Sequence, residues 1–261
     1  MYVLNMFEKR FKSFYPLFAI TTTFTMIVIG MLVFSVLIVI LLTTKLWPIA
    51  AIYLIWIFII DRDTCESGGR PSEYVRNCNW FRNVFNYLPV TTKKQNNFDL
   101  DPKKNYLFCV FPHGIIPAGL SGVMVSDVIG CKQFFPKHKT YLLMLRANFF
   151  VPVLREMLLS VGCCSNSKNS MNWILGNCNG GNIVGISIGG GKEALSCIPG
   201  EHKVELKNRK GFIKVAILNG SPLVPVYSFG ETDLFETIQF HETSVLKKFN
   251  HGCWKKPVLL F

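Results

Sequence analysis

Apolar positions form two long runs near the amino terminus and, beyond residue 105, short runs separated by polar turns. From Phe14 to Thr44 no residue carries a charge. The core of that run, Pro16–Leu42, would be roughly 40 Å long as a helix, more than a bilayer core of about 30 Å. It predicts a helix that tilts or rests its Thr21–Thr23 end in the interface. Lys45 interrupts, and Leu46–Ile60 adds a second uncharged run, roughly 22 Å as helix. Lys9, Arg10 and Lys12 precede the runs, eight basic residues lie between Arg62 and Lys104, and Lys45 alone separates the two legs. The positive-inside rule then predicts a membrane hairpin over 16–60 with both ends in the cytosol. Pro48 would shape its turn or kink its second leg.

Residues 1–15 read as a basic N-terminal segment and 61–104 as a linker with an interfacial helix. Asp61–Pro71 is polar and contains glycine. Glu73–Leu88 carries Val75, Trp80, Val84 and Leu88 at helical spacing with Arg76 and Arg82. That pattern fits a helix at the lipid interface or one packed on the following domain. Thr91–Lys104 is a polar connector.

From Tyr106 the pattern changes period. Tyr106–Phe111 predicts a buried strand, stopped by Pro112 and followed by a helix-like run, Ile115–Ile129. Strands are predicted at Thr140–Leu145, Ile183–Ile188 and Leu223–Ser228, with a shorter one at Val204–Leu206. Helices are predicted over Val153–Val161 and Arg209–Leu218, and Ser165–Leu175 reads as a segment that passes from polar to helical. The alternation implies an α/β sandwich with a largely parallel sheet over 105–261.

Composition sharpens this picture. Half the residues are hydrophobic, and a net charge of +12 on only 17% charged residues implies an anionic neighbour. No nucleic-acid module is recognisable, so a membrane surface or an acidic substrate fits better. The nine cysteines show no CxxC and no metal-like spacing, which predicts reduced thiols and no metal. Asn219-Gly-Ser221 is followed by Pro222 and reads as a turn.

Three places could carry chemistry. His113 lies on a strand-to-helix turn, where open α/β sheets put their sites and a histidine can take a proton at neutral pH. Gly114 allows the turn and the close approach of a ligand. Glu193, after Gly189-Gly-Gly, could orient His113 or bind a substrate hydroxyl. It could equally be a solvated acid at a helix start. Arg209, Lys210 and Lys214 at a helix start would suit a phosphate, or form a solvated face. The triple glycine lacks the continuation of a nucleotide-binding loop. No GxSxG elbow points to a hydrolase.

In order, Pro112-His-Gly114, Leu154-Arg-Glu-Met-Leu-Leu-Ser-Val-Gly162, Gly189-Gly-Gly-Lys-Glu-Ala-Leu195, Arg209-Lys-Gly-Phe-Ile-Lys-Val-Ala216 and Leu223-Val-Pro-Val-Tyr-Ser-Phe-Gly-Glu231 resemble the type 2 diacylglycerol acyltransferase family. That family includes monoacylglycerol and wax-alcohol acyltransferases. The resemblance covers roughly residues 15–240. It implies an acyl-CoA-dependent O-acyltransferase of the endoplasmic reticulum membrane, facing the cytosol and delivering to lipid droplets. The acceptor would be mono- or diacylglycerol or another lipid alcohol, acyl-CoA a substrate and no cofactor needed. It implies His113 and Glu193 as catalytic residues, with Pro112, Gly114, Arg209, Lys210, Gly211, Phe212 and Lys214 at the substrate. Oligomerisation is compatible with it. Phe111 stands where many animal members have a second histidine. Members usually continue for several tens of residues past the position of Phe261, so a C-terminally truncated domain is expected. The competing expectation is a non-enzymatic hairpin protein that binds acyl-CoA or neutral lipid.

Overall fold

A computed structural model describes residues 35–235, except 81–82, 85–87, 89, 96–97, 128–129 and 153, together with 21, 32, 237–239 and 258–260. Most of the first hydrophobic leg, residues 16–34, lies outside the described residues. Residues 35–43 are helical, 44–46 form a turn around Lys45, and α1 (Trp47–Ile55) continues into a π-helical turn, Trp56–Ile60. Pro48 falls in the first turn of α1, where a missing N–H costs no intrahelical bond. Among the described residues no helix is long and apolar enough to cross a membrane.

The expected linker Asp61–Pro71 is instead folded against the domain. Asp61 pairs with Arg70 at 3.1 Å and with Arg155 at 2.5 Å. The Arg70 and Ser72 N–H groups donate to the carbonyls of Leu159 and Ser160. The guanidinium groups of Arg70 and Arg155 also stack on Trp56, at 5.2 and 5.7 Å from its ring centre. The π-helical end of the apolar segment is thereby tied to the domain by charge and ring contacts.

Among the described residues of Glu73–Leu88, a one-turn helix, α2 (Glu73–Arg76), is followed by a turn at 77–78 and by further helical residues at 79–80 and 83–84. Arg76 points inward. It is buried and donates to Asp127 at 2.8–2.9 Å, to the carbonyls of Val161 and Met124, and to Thr140 Oγ1. Trp80, Val84 and Leu88 pack on the core. Of the two readings of this segment, packing on the domain is the one observed; Arg82 lies outside the described residues.

The domain is built on five parallel strands, β1 (Tyr106–Phe111), β2 (Lys139–Met144), β3 (Cys163–Ser165), β4 (Asn182–Ser187) and β5 (Leu223–Tyr227), in the order β3-β2-β4-β1-β5. Alternation along β1 feeds both faces. Tyr106, Phe108 and Val110 join one core with Leu120, Met124 and Leu142, while Leu107 and Cys109 join another with Ile174, Phe212 and Val215. Burial on both faces is why β1 reads as a continuous apolar run. Helices α3 (Ala118–Val125), α4 (Cys131–Phe134) and α5 (Leu154–Ser160) and α6 (Lys168–Leu175) follow in the chain, and α7 (Gly190–Leu195) and α8 (Gly211–Leu218) flank the last strands. Gly185 in β4 lets α3 come close, since a Cβ there would lie 2.8 Å from Met124. Among the described residues of the run Ile115–Ile129, those of α3 are helical.

Two expectations about strands change. Leu223–Ser228 is not buried: β5 is an edge strand, with Leu223 and Pro225 exposed. Leu107 N–H donates to Pro222 O and Ser228 N–H to Phe111 O, so even-numbered β5 residues face β1 and Pro225 faces outward. There its missing N–H costs no ladder bond and blunts the edge against further pairing. Val204–Leu206 forms no strand, because its backbone binds a carboxylate, as described below. The eight cysteines among the described residues are free thiols, and Asn219-Gly220 forms a turn. A short antiparallel pair joins β6 (Thr237–Gln239) and β7 (Val258–Leu260).

Candidate active site

The strand order places three chain exits side by side. β1 lies between β4 and β5, and its last carbonyls accept from both flanks, Val110 O from Ile188 at 3.3 Å and Phe111 O from Ser228 at 2.9 Å. β1 and β4 are neighbours, yet β1 leads to β2 beyond β4 and β4 leads to β5 beyond β1. Adjacent strands that lead to opposite sides open a crevice at their carboxyl ends. His113, Glu193 and Glu231 follow these three exits.

His113 is half-buried between buried Pro112 and Gly114. Its Nδ1 lies 3.0 Å from the Gly114 carbonyl oxygen. A carbonyl only accepts, so Nδ1 carries the proton in this contact and Nε2 presents the lone pair. Burial holds the imidazole below its ordinary value near 6.5, against the Gly114 contact and the Glu193 charge, which favour protonation. The ring is therefore neutral at pH 7. Phe111 packs edge-on against Tyr227, with ring centres 5.6 Å apart.

Glu193 is buried on α7 and reaches His113 through the main chain. One carboxylate oxygen accepts the His113 backbone N–H, and the other accepts the Glu205 N–H at 3.0 Å. A solvated helix-start acid is thus not what the structure shows. Lys192 and Glu205 pair at 2.9 Å on the surface, holding the same segment to α7.

Arg209 donates through Nη2 to the Gly189 carbonyl at 2.8 Å, bracing the turn that carries α7. Lys210 and Gly211 are exposed at the start of α8, and Lys214 is exposed one turn later. Phe212 is not at the site surface; it is buried in the core beside Leu107 and Val215, so its part is packing rather than substrate contact.

Spacing alone does not single out Glu231, which closes the block Leu223-Val-Pro-Val-Tyr-Ser-Phe-Gly-Glu231. It is buried in the turn after β5, accepts the Gly119 N–H on both carboxylate oxygens at 3.0 and 3.2 Å, and accepts the Ser228 hydroxyl. Burial pushes its carboxyl up, against these hydrogen bonds. Its carbonyl oxygen would lie 2.7 Å from a Cβ at Gly114, whose φ is +61°. Only glycine fits that turn at such close quarters. Glu231 thus ties the start of α3 and the His113–Gly114 turn to the exit of β5.

Beside the turn lies a narrow cleft of about 10 Å³, room for about one water molecule, lined by Pro112, Gly114, Glu193, Cys197, Lys203 and Thr232 among others. Among the described residues, no three His, Cys, Asp or Glu side chains are grouped to hold a metal.

The diacylglycerol acyltransferase family model matches residues 39–259. The chain belongs to the diacylglycerol acyltransferase family. It is 40% identical over 222 residues to human 2-acylglycerol O-acyltransferase 3, covering 85% of this chain and 62% of the relative. It is 41% identical over 224 residues to diacylglycerol O-acyltransferase 2 of Xenopus tropicalis, covering 80% and 61%. Acyl-CoA wax alcohol acyltransferase 1 of Mus musculus is 37% identical over 209 residues, covering 80% and 62%. The chain thus spans about three fifths of the length of these curated relatives. No solved structure matches.

Proposed function

We propose that the chain transfers a fatty acyl group from acyl-CoA to a lipid hydroxyl, with mono- or diacylglycerol as acceptor and triacylglycerol synthesis as the outcome. The observation that carries this reading is the contact of His113 Nδ1 with the Gly114 carbonyl, which leaves Nε2 as the basic atom, while burial favours the neutral ring. Nε2 takes the proton of the acceptor hydroxyl as its oxygen attacks the thioester carbonyl. The tetrahedral oxyanion collapses with cleavage of the C–S bond, and the imidazolium returns the proton to the CoA thiolate. The His113 N–H is already held by Glu193, so oxyanion donors come from the turn beginning at Gly114. Glu193 acts as a positioning residue. Lys210 and Lys214 meet the CoA phosphates, and Arg209 holds the turn between them and the site. The reaction needs no cofactor.

Substrates of this class reside in a bilayer, and the reading places the chain on the cytosolic face of the endoplasmic reticulum, with passage to lipid droplets. Exposed Ile49, Ile52, Ile55, Ile59 and Ile60 on the segment tied to the domain support attachment through a hairpin over 16–60. Tags at Met1 and Phe261 should both be open to protease in intact microsomes, and protection of either removes the hairpin.

The deciding experiment is turnover by purified protein in micelles against monoacylglycerol, diacylglycerol and a long-chain alcohol. Wild type should acylate at least one acceptor, and His113→Ala should lose about 10²–10⁴-fold in rate while remaining membrane-bound. Acyl-CoA binding without transfer to any acceptor would leave a lipid-binding hairpin protein instead.

A further inference from the structure

Glu231 presses on the segment after His113 at both of its ends. A Cβ at Gly114 would lie 2.7 Å from the Glu231 carbonyl oxygen and 2.9 Å from its Cγ. A Cβ at Gly119 would lie 2.5 Å from Glu231 Oε2 and would also meet Ser228 Oγ. Only glycine permits such approaches, so two glycines five residues apart answer to one buried acid.

At Gly119 the contact is a helix cap supplied from elsewhere in the chain. Pro117, at the N-cap of α3, offers no side-chain acceptor, and Gly119 carries the second N–H of the helix. Glu231 accepts that N–H on both oxygens, at 3.2 and 3.0 Å, in the place an N-cap side chain usually takes. The Ser228 hydroxyl donates to the same carboxylate and fixes it. A buried carboxyl is a costly brace where apolar packing would serve.

Between the two contacts run Gly114, Ile115 and Ile116, next to His113 in the chain. Among the described residues no acceptor meets their N–H groups, whereas the Ala118 N–H closes on the Ile116 carbonyl at 2.7 Å. Main-chain donors left unpaired within a fold are rare. Donors held in place beside a general base are what a developing oxyanion requires.

Resting on the acyl-transfer reading above, we propose that Glu231 is a positioning residue that clamps the turn from Gly114 to Gly119, so that the N–H groups of Gly114, Ile115 and Ile116 receive the oxyanion formed when the thioester carbonyl is attacked. The two buried acids then divide the work from opposite flanks of β1, Glu193 after β4 placing the base and Glu231 after β5 placing the donors.

The test compares an acyl-CoA with its dithioester analogue, in which sulfur replaces the carbonyl oxygen, on the full chain in detergent micelles with the acceptor that wild type uses best. Sulfur accepts hydrogen bonds weakly, so the analogue gains little from the donors. Glu231→Ala should lower kcat for the oxygen substrate about 100-fold, and for the dithioester by less than about fivefold. Glu231→Gln keeps a carbonyl oxygen for the Gly119 N–H and should recover most of the loss. An equal loss on both substrates overturns the clamp, since a generally loosened site does not tell oxygen from sulfur, and the acyl-transfer reading stands. Unchanged kcat in Glu231→Ala overturns it too. Wild type that transfers neither acyl group removes that reading, and the clamp with it. Should the alanine variant fail to accumulate, Ser228→Ala, which takes one partner from the carboxylate, should lower kcat about fivefold on the oxygen substrate alone. No loss, or the same loss on both substrates, overturns the proposal as well.

Discussion

Glu193 and His113 are joined through the backbone: the carboxylate takes the His113 main-chain N–H while the imidazole faces the Gly114 carbonyl. The acid therefore fixes where the ring stands, and the ring's basicity is set mainly by burial. This differs from a carboxylate–imidazole pair, in which removing the acid would alter the tautomer directly.

A graded response to substitution follows at Glu193. Glu193→Ala leaves two part-buried N–H groups, of His113 and Glu205, without their acceptor, at about 1 kcal/mol each. It should lower the thermal midpoint and reduce kcat by about 100-fold. Glu193→Gln keeps one acceptor oxygen and should recover part of both. Steady-state kinetics with thermal unfolding of the two variants checks this. Equal kcat for Glu193→Ala and wild type would show that the turn holds itself.

The pH dependence has a definite sign. Burial puts the folded-state value of His113 below its ordinary 6.5, so the acid limb of kcat/KM should lie below pH 6.5. For stability, the unfolded chain binds this proton more readily than the folded one. The contribution of neutral His113 is therefore present above the unfolded value and is lost as pH falls toward the folded one. Urea midpoints between pH 7 and pH 5 should fall less steeply in His113→Asn than in wild type. An acid limb above 6.5 would mean that the charge of Glu193 outweighs burial.

Much of this arrangement is legible in the sequence because β1 and β4 are buried on both faces, which writes apolar runs ending at Pro112 and at the glycine turn. The order of the exits is not legible. Nothing local says that β4 inserts between β1 and β2, and only that order brings Glu193 to His113. Arg76 shows a different limit. By pattern it belongs to the polar face of an amphipathic helix, whereas the fold buries it among Asp127, Thr140 and two carbonyls. A long side chain that satisfies its charge internally looks like a surface residue in one dimension. Glu231 escapes for a related reason, since the Gly119 N–H that it holds lies more than a hundred residues away in the chain.

The basic block separates into two roles that one experiment can tell apart. Arg209 is committed to the Gly189 carbonyl, so its loss should loosen the turn that carries Glu193. Lys210, which caps α8, and Lys214 within it are exposed and four residues apart, on one side of the helix start, where both ammonium groups can meet one polyanion. Lys210→Ala and Lys214→Ala should each raise the KM for acyl-CoA about three- to tenfold with little change in kcat. Raising the salt concentration on wild type should reproduce that effect, because exposed charges are screened within about 10 Å at 0.1 M. Arg209→Ala should lower kcat as well as raise KM, and added salt should not mimic the kcat part. The three variants are compared at two salt concentrations with acyl-CoA varied and acceptor saturating. If Arg209→Ala behaves like the lysine variants, its bond to Gly189 contributes nothing to the site. If all three leave the KM for acyl-CoA unchanged, the block is a solvated face and the CoA phosphates bind elsewhere.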